Sequence, residues 1–455
     1  MSSSPSFTVP KKRINNQDEL YAFLSSSTYK TLTDFVDKLA ESVKGYPILP
    51  NQKPETENVE KLCALLRQLK GWVDEIPPIA QPSRFGNRAF QVWCDRLQEQ
   101  APSLVESLLD EEKKDARDEL VPYLLDSFGN RTRIDYGTGH EAHMLAFLFC
   151  LFAIGVFEEK VKQQREVVLH AFVEYISLMR KIQKTYLLEP AGSRGVWGLD
   201  DFHFLPFIFG AAQLQCQEEI STSQVLDDRV VRDFANTYMY VDAVRVIKET
   251  KAGVPFGESS PILHDITSVP NWKKIRQGLM KMYHGEVWSK FPVTQHFLFG
   301  SLLPFPLQEG ETAPPAPPEF ARTTEAGMSA GGFGRPPPPV APGMPTVFPS
   351  AALNFPTAMP SAGAAGFSSL HGMPVTKAPW ASGGGAGVPV TAAPWVSGGG
   401  GGRGPIPPSL NGHGSAVRGP SNPLAGGGPP NSTGPGTLPP PVMQPDPIPE
   451  TEGER

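Results

Sequence analysis

The chain has 455 residues, with 41 Lys and Arg against 47 Asp and Glu and a net charge of −6 at pH 7; this balance argues against the basic excess of a nucleic-acid-binding surface. Residues 311–455 hold 31 of the 49 prolines and 27 of the 44 glycines beside only 13 charged residues, a composition that cannot bury a core. The expected organisation is a flexible N-terminus over 1–14, one folded domain over 15–307 and a disordered Gly/Pro-rich tail over 308–455.

The opening residues lack the apolar stretch of a signal peptide. The longest apolar run, residues 144–157, falls short of the roughly twenty that a membrane helix needs, so a soluble protein is expected. Lys11, Lys12 and Arg13 read either as part of a nuclear import signal or as solvated surface. Cys63, Cys94, Cys150 and Cys216 are too widely separated for metal-ligand spacing or a dense disulfide framework, which points to reduced, buried thiols in a cytoplasmic or nuclear protein.

Helical spacing dominates residues 16–300. Residues 28–43 form an amphipathic pattern that stops at Gly45, a residue suited to a left-handed helix terminus. In residues 61–76, Leu62, Leu65, Leu66, Leu69, Trp72, Val73 and Ile76 recur three and four apart, and Pro77 and Pro78 end the run. Residues 88–109 and 120–128 predict two more helices, with the charged run 111–119 between them read as a solvated face. Residues 140–157 are apolar nearly all round, which predicts a central helix. Patterns over 161–188, 202–217, 228–250 and 272–288 complete the set. Alternating apolar runs bounded by hairpin turns are few, so the fold class is all-α. In the tail, VTKAPWASGGG at 375–385 recurs as VTAAPWVSGGG at 390–400; Trp380 and Trp395 read as anchors of short binding motifs or as drift in a low-complexity linker.

Three glycine-bearing segments interrupt the helices. In RIDYGTGHE (133–141), Arg133 offers a planar donor fork, Gly137 and Gly139 expose backbone amides, and the following helix start favours anions. The segment reads equally as a phosphate site or as a helix-capping loop. It is not a Walker loop, and His140 and His143 lack the spacing of a zinc helix. In GVWGLDDFHFLPFIFGAAQ (195–213), Asp200 and Asp201 lie inside an aromatic run, where burying charge requires a cation, a donor or water. One aspartate suffices for magnesium that shares its shell with phosphates, and one is explained as a helix cap. In FPVTQHFLFGSLLP (291–304), Pro292, Gln295 and Gly300 disfavour a plain helix, and the segment reads as a loop lining a cavity, with His296 as a phosphate donor or a satisfied core histidine.

These segments, together with QPSRFGNRAF (81–90) and EPAGSRGVW (189–197), closely resemble the phosphotyrosyl phosphatase activator family, activators of serine/threonine protein phosphatase 2A, over residues 11–304. The resemblance is strongest to the fungal branch, whose members are also described as peptidyl-prolyl cis-trans isomerases. Phe209 stands where animal members carry tryptophan. The resemblance implies helical core, linker and lid subdomains around a deep cleft that holds ATP and magnesium. It implies nucleotide contacts from Arg133, Thr138, Gly139, Val293, Thr294, Gln295 and His296, and magnesium contacts from Gly195 and Asp201. Val196, Gly278 and Met282 match positions of the phosphatase-facing surface. The implied activity is restoration of an inactive, methylesterase-bound phosphatase catalytic subunit in cytoplasm and nucleus. Isomerisation of a proline-containing segment needs no nucleophile, because its barrier is rotational; Trp197, Phe202, Phe204 and Phe207 are the candidate pocket, or simply an aromatic core. The alternative is a non-catalytic binding module or chaperone with nucleotide in a structural role. An RNA-binding role for the tail lacks the arginines and aromatics it would need.

Overall fold

The computed structural model describes residues 6–83 and 85–317; the expectations for residues 1–5 and for the chain beyond 317 lie outside them. In chain order the helices are α1 (Gln17–Leu24), α2 (Ser27–Ser42), α3 (Glu57–Glu75), α4 (Ala89–Glu106), α5 (Arg117–Asp126), α6 (Thr138–Ala153), α7 (Val161–Glu166), α8 (Val173–Tyr186), α9 (Leu205–Gln213), α10 (Asp228–Phe234), α11 (Met239–Thr250), α12 (Phe256–Ser259), α13 (Pro261–Ile266), α14 (Trp272–Tyr283) and α15 (Phe291–Thr294). Among the described residues strands are confined to two short pairs: β1 (Lys11–Lys12) lies antiparallel to β4 (Leu298–Phe299), and β2 (Asp135–Tyr136) lies parallel to β3 (Glu189–Pro190). The fold is all-helical, as the apolar spacing predicts. Among the described residues no helix is long and apolar enough to cross a membrane.

Local chemistry explains most boundaries. Asn16, Ser26 and Asn271 accept backbone N–H groups at the starts of α1, α2 and α14, which satisfies donors that a helix leaves open. A π turn at Val167–Phe172 joins α7 to α8, so residues 161–186 run without a break. The 228–250 pattern divides into α10 and α11 where Thr237 O accepts from Ile48 N at 2.8 Å. The 272–288 pattern ends in a second π turn, His284–Trp288. Segment 291–304 departs from the expected loop: its start winds into α15, with Pro292 in the first turn, where a missing N–H leaves no bond unmade.

The apolar faces meet in one continuous core. Phe23 of α1 packs its ring 5.9 Å from Trp288, 6.1 Å from Phe297 and 5.1 Å from Phe299, tying the N-terminus to the end of the domain. A Cβ at Gly210 would sit 2.1 Å from Tyr240 N, so only glycine permits the close approach of α9 to α11.

Two further expectations are corrected. The 111–119 run is not solvated throughout: Glu119 is fully buried and accepts Thr8 N at 3.1 Å, Leu302 N at 2.6 Å and the Ser301 hydroxyl. A side chain at Gly300 would meet Glu119 Oε1 at 2.4 Å, which explains that glycine. All four thiols are free, but only Cys63 and Cys150 are buried; Cys94 is half-buried and Cys216 exposed, because Cys216 follows the end of α9 in a left-handed turn with φ 70°.

Replacing Glu119 by Ala strands two backbone donors, and a loss of about 2–4 kcal/mol in urea unfolding is expected. Gly300→Ala should lose about 1–3 kcal/mol through the clash. Unchanged unfolding midpoints for both would show that this carboxylate is dispensable.

Candidate functional site

The first and third glycine segments, with β3 and the 191–192 turn that leads into the second, converge on the start of α6. Pairing of β2 with β3 brings Ala191 N to 2.7 Å from Tyr136 O. A Cβ at Gly137 would lie 2.5 Å from Ala191 O, and one at Gly139 would lie 3.2 Å from Val293 Cγ1. Both glycines therefore serve the close approach of neighbouring segments. No side chain caps α6, so its first amides and the positive end of its dipole favour an anion beside Arg133.

Charges of both signs surround this helix start: Lys12 and Arg133 on one hand, Asp126, Asp135 and Glu141 on the other. Arg133 gives Nε to Asp135 Oδ2 at 2.7 Å and stays 48% exposed, leaving its outer nitrogens accessible, while Asp135 Oδ1 is buried without a partner. His296 is half-buried, and burial, then Lys12, Arg133 and His143, hold its pKa below the usual histidine value. Thr138, Val293 and Gln295 are half-buried, whereas Thr294 is buried and donates its hydroxyl to Trp288 O at 2.7 Å. A cavity lined by Gly139, His143, Trp288, Val293, Thr294 and Phe297 measures about 10 Å³, room for one water. A larger recess of about 350 Å³ lies elsewhere, between Arg13–Glu19 and Phe305–Ala313. The Gly139–Val293 contact is thus closed to a nucleotide as it stands, and a phosphate chain would meet Arg133, His296 and the α6 start from the solvent side.

The aspartate pair divides its labour. Asp200 Oδ2 accepts Phe202 N at 3.1 Å and His203 N at 2.9 Å, a capping turn. Asp201 Oδ1 accepts the Ser193 hydroxyl, and Ser193 Oγ accepts Gly195 N at 2.9 Å. Ser193 thereby brings Gly195, exposed with φ 57°, beside Asp201. Lys251 Nζ lies 3.3 Å from Asp201 Oδ2. Among the described residues no three His, Cys, Asp or Glu side chains converge as a metal cage. A single carboxylate suits a cation that keeps waters and shares phosphates.

The candidate aromatics separate. Phe204 and Phe207 are buried, with ring centroids 5.3 Å from Tyr283 and Tyr240 respectively. Phe202 is half-buried and Trp197 is 59% exposed. The four do not line one pocket, because the amides of Phe204 and Leu205 are drawn inward to the buried Glu141 carboxylate at 2.9 and 3.0 Å. Of the partner-facing candidates, Val196 is exposed, Met282 half-buried and Gly278 buried on α14. Sequence reasoning missed Glu141 and its neighbour His203; the available signal was an acid in the first turn of a helix otherwise apolar all round.

Acid sensitivity follows from the histidines here. His140 Nδ1 donates to Asp126 O at 2.7 Å, and burial holds its pKa down at about 4. Burial also lowers His143 and His296. An unfolded histidine protonates near 6.5, so between pH 6.5 and 4 the unfolded state binds more protons and stability falls as pH drops. Unfolding midpoints should decline over that window, less steeply in His140→Gln; identical slopes would remove His140 from the effect.

Residues 10–305 match the family described as phosphotyrosyl phosphate activator (PTPA) protein. A serine/threonine-protein phosphatase 2A activator of Drosophila melanogaster is 40% identical over 305 residues, covering 66% of this chain and 75% of that protein. Activator 1 of Schizosaccharomyces pombe is 39% identical over 305 residues, covering 66% and 92%. The crystal structure of the PP2A phosphatase activator Ypa1 superposes with a TM-score of 0.60 at 35% identity, covering 67% of this chain and 97% of that one. The shared motifs, the helical fold and these matches place the chain in the phosphotyrosyl phosphate activator (PTPA) family.

Proposed function

We propose that this chain activates protein phosphatase 2A-type catalytic subunits with ATP and magnesium, restoring an inactive, methylesterase-bound form, and that it accelerates peptidyl-prolyl isomerisation. Its relatives in Drosophila and fission yeast carry the activator name. The observation that carries the cofactor reading is the meeting of the uncapped α6 start, exposed Arg133 and the 189–195 strand and turn that lead to Asp201.

In this reading Arg133 and the first amides of α6 hold phosphate oxygens. Asp201 binds the cation, with Ser193 orienting the carboxylate and the Gly195 turn supplying backbone oxygen. Bound magnesium neutralises phosphate charge. Burial, then the Lys12 and Arg133 charges, hold the His296 pKa down, and a phosphate beside it would oppose the contribution of those two charges. Exposed Val196 and Trp197 form the edge offered to a partner, and Trp197 supplies the aromatic face for a proline segment. A twisted amide held there isomerises without covalent chemistry. The inward placement of Phe204 and Phe207 favours a second reading, a binding module without isomerase activity.

Two substitutions separate these readings. Asp201→Asn is expected to reduce magnesium-dependent phosphatase activation at least tenfold; near-normal activation would favour the binding module. Trp197→Ala should slow isomerisation of a proline peptide, and equal rates would take this tryptophan out of the mechanism.

A further inference from the structure

One cation outside the proposed contact set is tied directly to Asp201. Lys251 follows α11, with Nζ 3.3 Å from Asp201 Oδ2, and it also donates to Ser259 O, at the end of α12, at 3.2 Å. The two side chains are only 23% and 21% exposed. Because the Ser193 hydroxyl already occupies Oδ1, both carboxylate oxygens are engaged within the protein. Each carboxylate oxygen keeps a second lone pair, so the obstacle to magnesium is charge: two cations crowded on one partly buried carboxylate repel. Lys251 also links the Asp201 loop to α12, and the adjoining α13 packs on the turn Gly195–Trp197. Displacement of the ammonium would therefore be felt at the exposed Val196–Trp197 edge.

We infer that Lys251 is a tethered competitor for the magnesium ligand: it holds Asp201 against the α11–α12 junction and is released when the cation binds, loosening the 251–260 segment. The inference rests on the magnesium reading above. It makes Lys251 a positioning residue that sets how much magnesium the site requires, and it couples cation binding to the surface offered to a partner.

The test uses the full chain with ATP, titrated with magnesium chloride, in wild type, Lys251→Met, Lys251→Arg and Asp201→Asn. Calorimetry should show the magnesium half-saturation point falling about five- to tenfold in Lys251→Met, the range of a partly buried ion pair, and staying near wild type in Lys251→Arg. Hydrogen exchange of residues 254–260 should quicken in wild type when magnesium and ATP are added, and should be fast from the outset in Lys251→Met. If Lys251→Met needs as much magnesium as wild type while Asp201→Asn loses its magnesium response, the competition is wrong and the metal assignment stands. If Asp201→Asn responds like wild type, the metal assignment fails and the competition with it. Unchanged or slower exchange at 254–260 on adding the pair to wild type overturns the release, whatever the folding of the variants.

Discussion

Glu141 has no solvent exposure, and a carboxylate in that position costs several kcal/mol unless donors compensate it. Here Oε2 accepts Phe204 N at 2.9 Å and Leu205 N at 3.0 Å, and Oε1 faces His203 Nδ1 at 3.3 Å. Gln183 Nε2 donates to His203 Nε2 at 3.2 Å, which leaves the imidazole proton on Nδ1 for the carboxylate. The amides it receives open α9, where the helix dipole adds to the attraction. A residue in the first turn of α6 therefore sets where α9 begins, and with it where the loop that carries Ser193, Gly195 and Asp201 ends.

The same device recurs wherever distant chain ends must meet. Glu166 accepts Thr56 N at 3.0 Å beside the start of α3, and Gln213 accepts Met239 N at 2.9 Å at the start of α11 while donating to Tyr46 O at 3.0 Å. Asn87, inside the QPSRFGNRAF motif, donates N–H to Tyr186 O at 2.7 Å as α8 ends and clasps Ile79 through both atoms of its amide. Apolar packing gives the bundle its mass, but such groups specify register because each has few acceptable partners.

The helices are legible in the sequence because their apolar residues recur at helical spacing, and Leu62 to Trp72 on α3 is buried as that spacing requires. Asp201 is legible as a candidate cation ligand because a carboxylate in an aromatic run needs compensation; its pairing with Gly195 comes from family resemblance, and the Ser193 link between them is visible only in the structure. The meeting of Arg133 with His296 comes only from family resemblance, since no local pattern reports on a partner so far along the chain. Glu119 is hidden for the same reason: Leu302, which it holds, lies 183 positions away, and the residues before it form a charged run. Gly137 and Gly139 suggest a phosphate loop, yet crowding by Ala191 and Val293 already requires them; composition alone cannot separate those causes.

The Glu119 clasp bears on the birth of the protein. Its carboxylate holds Thr8 at one end of the domain and Leu302 at the other, so on a ribosome the N-terminal segment waits for the last docking piece. Until residue 302 emerges, α5 presents a glutamate meant for burial and the rings of Phe23 lack Phe297 and Phe299. Closure of the domain is therefore a late event for the chain, because both the clasp and the aromatic contacts of Phe23 wait on residues 297–302.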